Sequence, residues 1–250
     1  MEFHKAPVLA ILSIKLGPQC PTDANVGKLV ESAINRIVKE DDNIATFSVK
    51  VPSLRFLSYR NYKSLPDNSD DVVDTSRSLI MDTPALRDFY ITDRSGDSFA
   101  INNMSRLQYA YVKAVCCGTI KFCRLIKCKI VPRNSDWMES LVPLLRNTPK
   151  LKFLIVDYGS TCQPPNPSPS WRESSSVPEC LSSSLEEFEM INYGGREEEE
   201  DLVAYILENS KCLKKATISF SPELEDDETM IDMFKAIPRV SVASQLLFKT

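Results

Sequence analysis

The chain is 250 residues long, 43% hydrophobic and 26% charged, with a formal net charge of -4. It has enough apolar material for a sizeable core, and its charge is too mild to argue for any one class of partner. Seven glycines leave little room for a glycine-rich phosphate loop, and eight cysteines without framework spacing fit a reduced protein of the cytoplasm or nucleus.

In chain order, one short phrase recurs: a leucine, two residues, an apolar residue, one residue, and a second apolar residue. It usually follows a proline or a small polar residue. Leu9 leads to Leu12 and Ile14 after Pro7, and Leu54 to Leu57 and Tyr59 after Pro52. Leu86 leads to Phe89 and Ile91 after Pro84, and Leu151 to Leu154 and Val156 after Pro149. Weaker copies start at Ile44, Leu107, Leu125, Leu185 and Leu213. Self-similarity of this kind marks a repeat architecture, in which no unit buries its apolar side alone. The phrase resembles the strand of a leucine-rich repeat. The expected fold is therefore an α/β solenoid, horseshoe-like and irregular, since the anchors Leu86, Leu107 and Leu125 lie 21 and 18 residues apart while Leu54 and Leu86 lie 32 apart.

Helical patterns fall between the strands. Thr22-Asp23 offers an N-cap to a stripe of Val26, Leu29, Val30, Ala33, Ile34, Ile37 and Val38. Asn134-Ser135 caps a second helix with Trp137, Met138, Leu141, Val142, Leu144 and Leu145 on its apolar face, ending before Pro149. Loops are expected at 65–71 and 162–170, and the second is proline-rich enough to mark a boundary. Beyond it the pattern predicts a strand at 185–191, a turn at Gly194-Gly195 and a helix at 196–209 with Leu202, Val203, Ile206 and Leu207 on one face. A strand at 213–220, a helix at 225–236 and a strand at 241–248 complete the order. The acidic runs at 197–201 and 225–228 read as helix starts and solvated faces.

This last block resembles a known family. The string from Ser176-Val177-Pro178-Glu179-Cys180-Leu181 to Leu185-Glu186-Glu187-Phe188 is similar to the opening of the FBD domain of plant F-box proteins. Gly195-Arg196-Glu197-Glu198-Glu199, Tyr205-Ile206-Leu207-Glu208-Asn209 and Cys212-Leu213-Lys214-Lys215-Ala216-Thr217-Ile218 match its centre. Pro238-Arg239, Ser241 and Gln245-Leu246-Leu247-Phe248 match its end. Upstream, His4 to Leu9, Asp41-Asp42-Asn43 and Val51-Pro52-Ser53-Leu54 resemble the leucine-rich repeats that precede that domain. The resemblance implies three segments: a repeat solenoid at 1–162, a Pro/Ser-rich loop at 163–175 and an FBD domain at 176–250 that closes the solenoid. In that family an F-box docks on the Skp-type adaptor of a cullin-based ubiquitin ligase, while the repeats and the FBD hold the substrate. No F-box precedes Leu9, so adaptor binding is not expected. Asn35 to Lys39 looks like an early repeat and Asp41 to Ile44 like a late one, so several intervening repeats are expected to be absent.

Catalytic chemistry finds little support. His4 is the single histidine, and nothing flags a partner for it. Cys116, Cys117, Cys123 and Cys128 lack paired two-residue spacing, so neither a metal site nor a cofactor is expected. The apolar stretch ending near Leu16 carries Lys15 and is too short to cross a bilayer. What remains is a surface. Strict alternation in each strand sends the phrase residues inward and the residues between them to the concave face. That places Phe56 and Ser58, Asp88 and Tyr90, Tyr109 and Tyr111, Phe153 and Ile155, and Glu187 and Glu189 outside, as candidates for holding a protein ligand. The alternative is a nucleic-acid scaffold using the basic residues between Arg106 and Arg133, a region that falls within 98–135, where there is no Asp or Glu.

Overall fold

The computed structural model describes residues 11–16, 46–50, 53–61, 78–93, 98–102, 104–113, 122–132, 137–158, 176–224 and 228–249. The chain forms two compact units, Met1–Leu107 and Gln108–Thr250. The fold is mixed α/β with parallel sheets. The helix expected across 26–38, the anchor Leu9, the seam near Lys39, His4 and the Pro/Ser-rich segment lie outside the described residues.

The first unit contains β1 (Ile11–Leu16), β2 (Thr46–Lys50), β3 (Phe56–Asn61), β4 (Ser78–Asp82), β5 (Asp88–Asp93) and β6 (Ser98–Asn102). Odd strands pair with odd and even with even. Ile11, Phe56 and Asp88 share one register row, and Thr46, Ser78 and Ser98 another, all parallel. The phrase residues Leu54, Leu57, Tyr59, Leu86, Phe89 and Ile91 are buried, as alternation requires. Two expectations change here. The weak copy starting at Ile44 joins the second sheet as β2, not the sheet of phrase strands. The return segments after β3 and β5 hold strands, β4 and β6, where helical patterns or loops were expected. The physical reason is period: Leu79 and Met81, like Phe99 and Ile101, alternate at two residues in segments too short for a stable helix.

The second unit contains β7 (Tyr109–Lys113), β8 (Lys127–Ile130), α1 (Trp137–Arg146), β9 (Phe153–Asp157), α2 (Glu179–Ser183), β10 (Glu187–Tyr193), α3 (Glu197–Asn209), β11 (Lys215–Phe220), α4 (Glu228–Ala236) and β12 (Gln245–Lys249). Its strands pair in sequence order, each parallel to the last. β9 and β10 pair directly although the proline-rich segment separates them in sequence. The return segments after β8, β9, β10 and β11 hold helices, and α1, α2 and α3 pack in succession.

Two backbone devices recur. The first explains the proline. The anchor leucine's N–H closes a tight turn on the carbonyl three residues back: Leu86 to Thr83, Leu107 to Met104, Leu125 to Phe122, Leu151 to Thr148 and Leu213 to Ser210, at 3.0 to 3.4 Å. Pro84 and Pro149 sit second in that turn, where a fixed φ fits and no donor is needed. The first residue of each of these turns is buried. The second device links neighbours. The carbonyl just ahead of one strand accepts two successive N–H groups from the next unit: Arg55 from Arg87 and Asp88, Gln108 from Ile126 and Lys127, Ile126 from Lys152 and Phe153, Lys152 from Glu186 and Glu187, and Glu186 from Lys214 and Lys215.

The closing block is fastened by side chains. Cys180 is buried, its thiol 3.2 Å from the Leu145 carbonyl, and burial pushes its pKa up to about 12. It therefore stays a neutral, packed thiol. The Ser184 hydroxyl lies 2.9 Å from the carbonyls of both Pro149 and Leu151. At the end of β10 a bulge places Asn192 at φ 58° and turns Tyr193 inward. There Tyr193 meets Phe220 and Phe234 edge-on, with ring centroids 5.7 and 5.1 Å away. Gly195 has φ 71°, and a Cβ on it would come within 3.0 Å of Met230, so the turn requires glycine.

Helix α3 buries Leu202, Val203, Ile206 and Leu207, the face read from the sequence. The acidic run at its start is not wholly solvated. Glu199 is fully buried, and its carboxylate accepts the N–H of Gly194 at 2.7 Å and of Arg196 at 3.3 Å. It caps the helix from inside the turn, which only the fold reveals. Burial raises its pKa against the pull of those two bonds. Leu202→Ala and Ile206→Ala should each cost about 2–5 kcal/mol, through lost transfer energy and a cavity. Glu199→Ala, which strands two backbone donors, should cost about 1–3 kcal/mol, and Glu198→Ala under about 0.5 kcal/mol. Urea midpoints of the four variants give the order. A Glu198→Ala loss as large as that of Ile206→Ala would mean that the faces of α3 are assigned wrongly.

Candidate partner-binding face

In the strands whose side chains are described, most residues between the phrase positions stand on the solvent side of the sheet. In the first unit this holds for Phe56, Asp88 and Tyr90, which are all half-buried, with the Phe56 and Tyr90 rings 5.1 Å apart. Ser58 departs from the expectation. It is 5% exposed, a small side chain in register with Tyr90 and flanked by that ring pair.

In the second unit the face is built from aligned rows. Tyr109, Lys127, Phe153, Glu187, Lys215 and Gln245 share the first row. Tyr111, Lys129, Ile155, Glu189, Thr217 and Leu247 share the second. Tyr109, Tyr111, Phe153, Ile155 and Glu189 are half-buried, and Glu187 is exposed. These six residues, picked from sequence, therefore lie on one face, on β7, β9 and β10, with β8 between the first two. Their lysine neighbours were missed as members of it. Lys127 and Lys129 read as part of a basic run, although their phrase positions place them beside Phe153 and Ile155.

The charges of the second row pair with residues two places further along nearby strands. Lys129 lies 2.8 Å from Asp157 and 6.0 Å from the centre of the Tyr111 ring, and Lys249 lies 3.2 Å from Glu189. Thr217 is buried between its neighbours. A depression of about 150 Å³ opens among Lys127, Phe153, Ile155, Glu187, Lys215 and Lys249. Just ahead of the strands, Glu186 bridges Lys152 and Lys214 at 2.6 Å each. Those two ammonium groups hold its pKa down at about 2.

Among the described residues no group of three or more His, Cys, Asp or Glu is placed to hold a metal ion. Cys128 is a buried strand residue and Cys123 is exposed, while Cys116 and Cys117 lie outside the described residues. Among the described residues no helix is long and apolar enough to cross a membrane.

Comparison with known proteins supplies the context for this face. The FBD family model matches residues 172–218. The chain is similar to an FBD-associated F-box protein of Arabidopsis thaliana, 34% identical across all of this chain and 83% of the relative. It is also similar to an F-box/FBD/LRR-repeat protein of the same plant, 30% identical across all of this chain and 78% of that relative. The first alignment runs to 369 positions against the 250 residues here, so a long stretch of the relative has no counterpart in this chain. No solved structure matches.

The Glu186 bridge carries a pH signature. Its folded pKa lies below its ordinary value of 4.5, so its stabilisation is complete above that pH and is lost as pH falls towards 2. Because the bridge is exposed, salt weakens it. The difference in urea midpoint between the native chain and Glu186→Gln should be largest near neutral pH. It should shrink below pH 4.5, vanish near pH 2, and narrow in high salt at any pH. A difference independent of pH would mean that Glu186 acts through packing rather than charge.

Proposed function

Because the chain belongs to the plant family of FBD-associated F-box proteins, we propose that it is a non-catalytic protein-binding module that works as the substrate-recognition part of an intracellular ubiquitin-ligase receptor. In this reading the strand–turn units are leucine-rich repeats covering 1–162, the segment 163–175 is a connecting loop, and 176–250 is an FBD domain that closes the array. The partner-binding residues, taken in each unit by itself, are those on the solvent side of the strands: Phe56, Asp88 and Tyr90 in the first, and Tyr109, Tyr111, Phe153, Ile155, Glu187 and Glu189 in the second.

One observation carries the reading: adjacent strands of the second unit present half-buried aromatic and aliphatic side chains among charges of both signs. Aromatic anchors ringed by polar groups are the composition of protein interfaces. A nucleic-acid surface is less well supported. Asp157 and Glu189 neutralise Lys129 and Lys249, which interrupts the continuous track of cations that a phosphate backbone needs.

The test is capture with the intact chain. Native protein and the double variant Phe153→Ala/Ile155→Ala are immobilised in parallel, and bound plant proteins are quantified. A defined set of proteins should be retained by the native chain and lost from the variant, with both proteins showing the same circular dichroism. Equal capture by both would place the binding surface elsewhere.

A further inference from the structure

We propose that the end of this face where the strands of the Gln108–Thr250 unit begin is built for an acidic protein segment carrying an apolar residue. The proposal rests on the reading of the face as a partner surface and names the partner's chemistry.

The argument starts from topology. Strands β7 to β12 are parallel and in sequence order, so every turn that leads into a strand lies along the same edge. Residues at equivalent turn positions are thereby stacked about one strand spacing apart, roughly 4.8 Å. Exposed Arg124 and Lys150 stand third in the neighbouring turns before β8 and β9, and exposed Lys211 stands second in the turn before β11, two strands further along. Exposed Lys127 and half-buried Lys215 are the first residues of β8 and β11.

The pairing pattern then separates satisfied charges from unsatisfied ones. Lys129 and Lys249 are engaged by Asp157 and Glu189, and Lys152 and Lys214 by Glu186. Among the described residues no ion pair engages Arg124, Lys127, Lys150, Lys211 or Lys215, and Glu187, whose charge also acts on Lys214, is the one carboxylate of the first row. The sequence separates basic and acidic stretches along the chain. Folding brings the unengaged cations together at one edge instead.

That edge meets the depression. Phe153 lies in the first row between Lys127 and Glu187, at the wall of the 150 Å³ hollow. A carboxylate-rich segment crossing the strand starts would meet the five cations, and one apolar side chain would enter the hollow against Phe153 and Ile155. Glu187 would oppose such a segment, which makes it a sensitive point for the test.

The 250-residue chain is titrated by fluorescence anisotropy with four labelled probes. They are a short Glu/Ser peptide with a central leucine, the same peptide with serine in its place, a Lys/Ser peptide with the leucine, and a mixed-sequence single-stranded oligonucleotide of matched charge. The acidic leucine peptide should bind roughly tenfold tighter than each of the others. Lys127→Glu/Lys211→Glu should weaken it roughly tenfold. Glu187→Lys should tighten it, a gain that misfolding cannot produce. Equal binding of the basic peptide, tighter binding of the oligonucleotide, or no gain from Glu187→Lys overturns the proposal. If the acidic peptide fails to bind while Phe153→Ala/Ile155→Ala still strips captured proteins, the partner chemistry is wrong and the face reading stands. If capture is untouched by that double variant but the charge variants move peptide binding as stated, the edge proposal holds without the face reading.

Discussion

One carbonyl per unit holds this protein in register. The oxygen just ahead of a strand accepts two successive N–H groups from the next unit, from Arg55 in the first unit to Glu186 in the second. A buried or half-buried backbone group must be paired, and here the pairing also sets the vertical position of each strand against its neighbour. With register fixed this way, side chains at equivalent phrase positions stack into rows. Slipping one unit by a single residue would exchange Phe153 and Ile155 for Leu154 and Val156 on the solvent side.

The apolar phrase and the clamp depend on each other. Leu57, Phe89, Ala110, Cys128, Leu154, Phe188 and Ala216 occupy one position of the phrase and differ widely in size, yet all are buried. The described return segments differ as well: five-residue strands in the first unit and helices of 5 to 13 residues in the second. Interiors are close-packed, so a change in one unit's return segment must be met by its neighbours. Glu199 shows how polar groups enter that interior at acceptable cost. Its carboxylate is buried, but it holds the turn that Gly195 makes possible.

The surface follows from the same geometry. Rows of side chains pair across strands, as Lys129 does with Asp157 and Lys249 with Glu189, or remain open, as in the row of Lys127, Phe153, Glu187 and Lys215. A protein-binding role in a family of F-box-associated proteins asks for such a scaffold. The core side is constrained by packing, while the outer side is free to vary in charge and shape.

By itself the sequence determined what is local and periodic. The phrase gave the strands, because alternation at two residues and a buried leucine anchor are written in order along the chain. It gave the apolar face of α3, the glycine turn before it and the strand–helix alternation of the last block. The tertiary structure decided what depends on neighbours far apart in sequence. Return segments in the first unit became strands because β2, β4 and β6 pair with one another, a contact no single segment announces. Glu199 turned inward because the backbone donors of Gly194 and Arg196 awaited it, while Glu197 in the same run stayed exposed. Lysines from a basic stretch and glutamates from an acidic one came to share a single face, since parallel pairing converts distance along the chain into adjacency across strands.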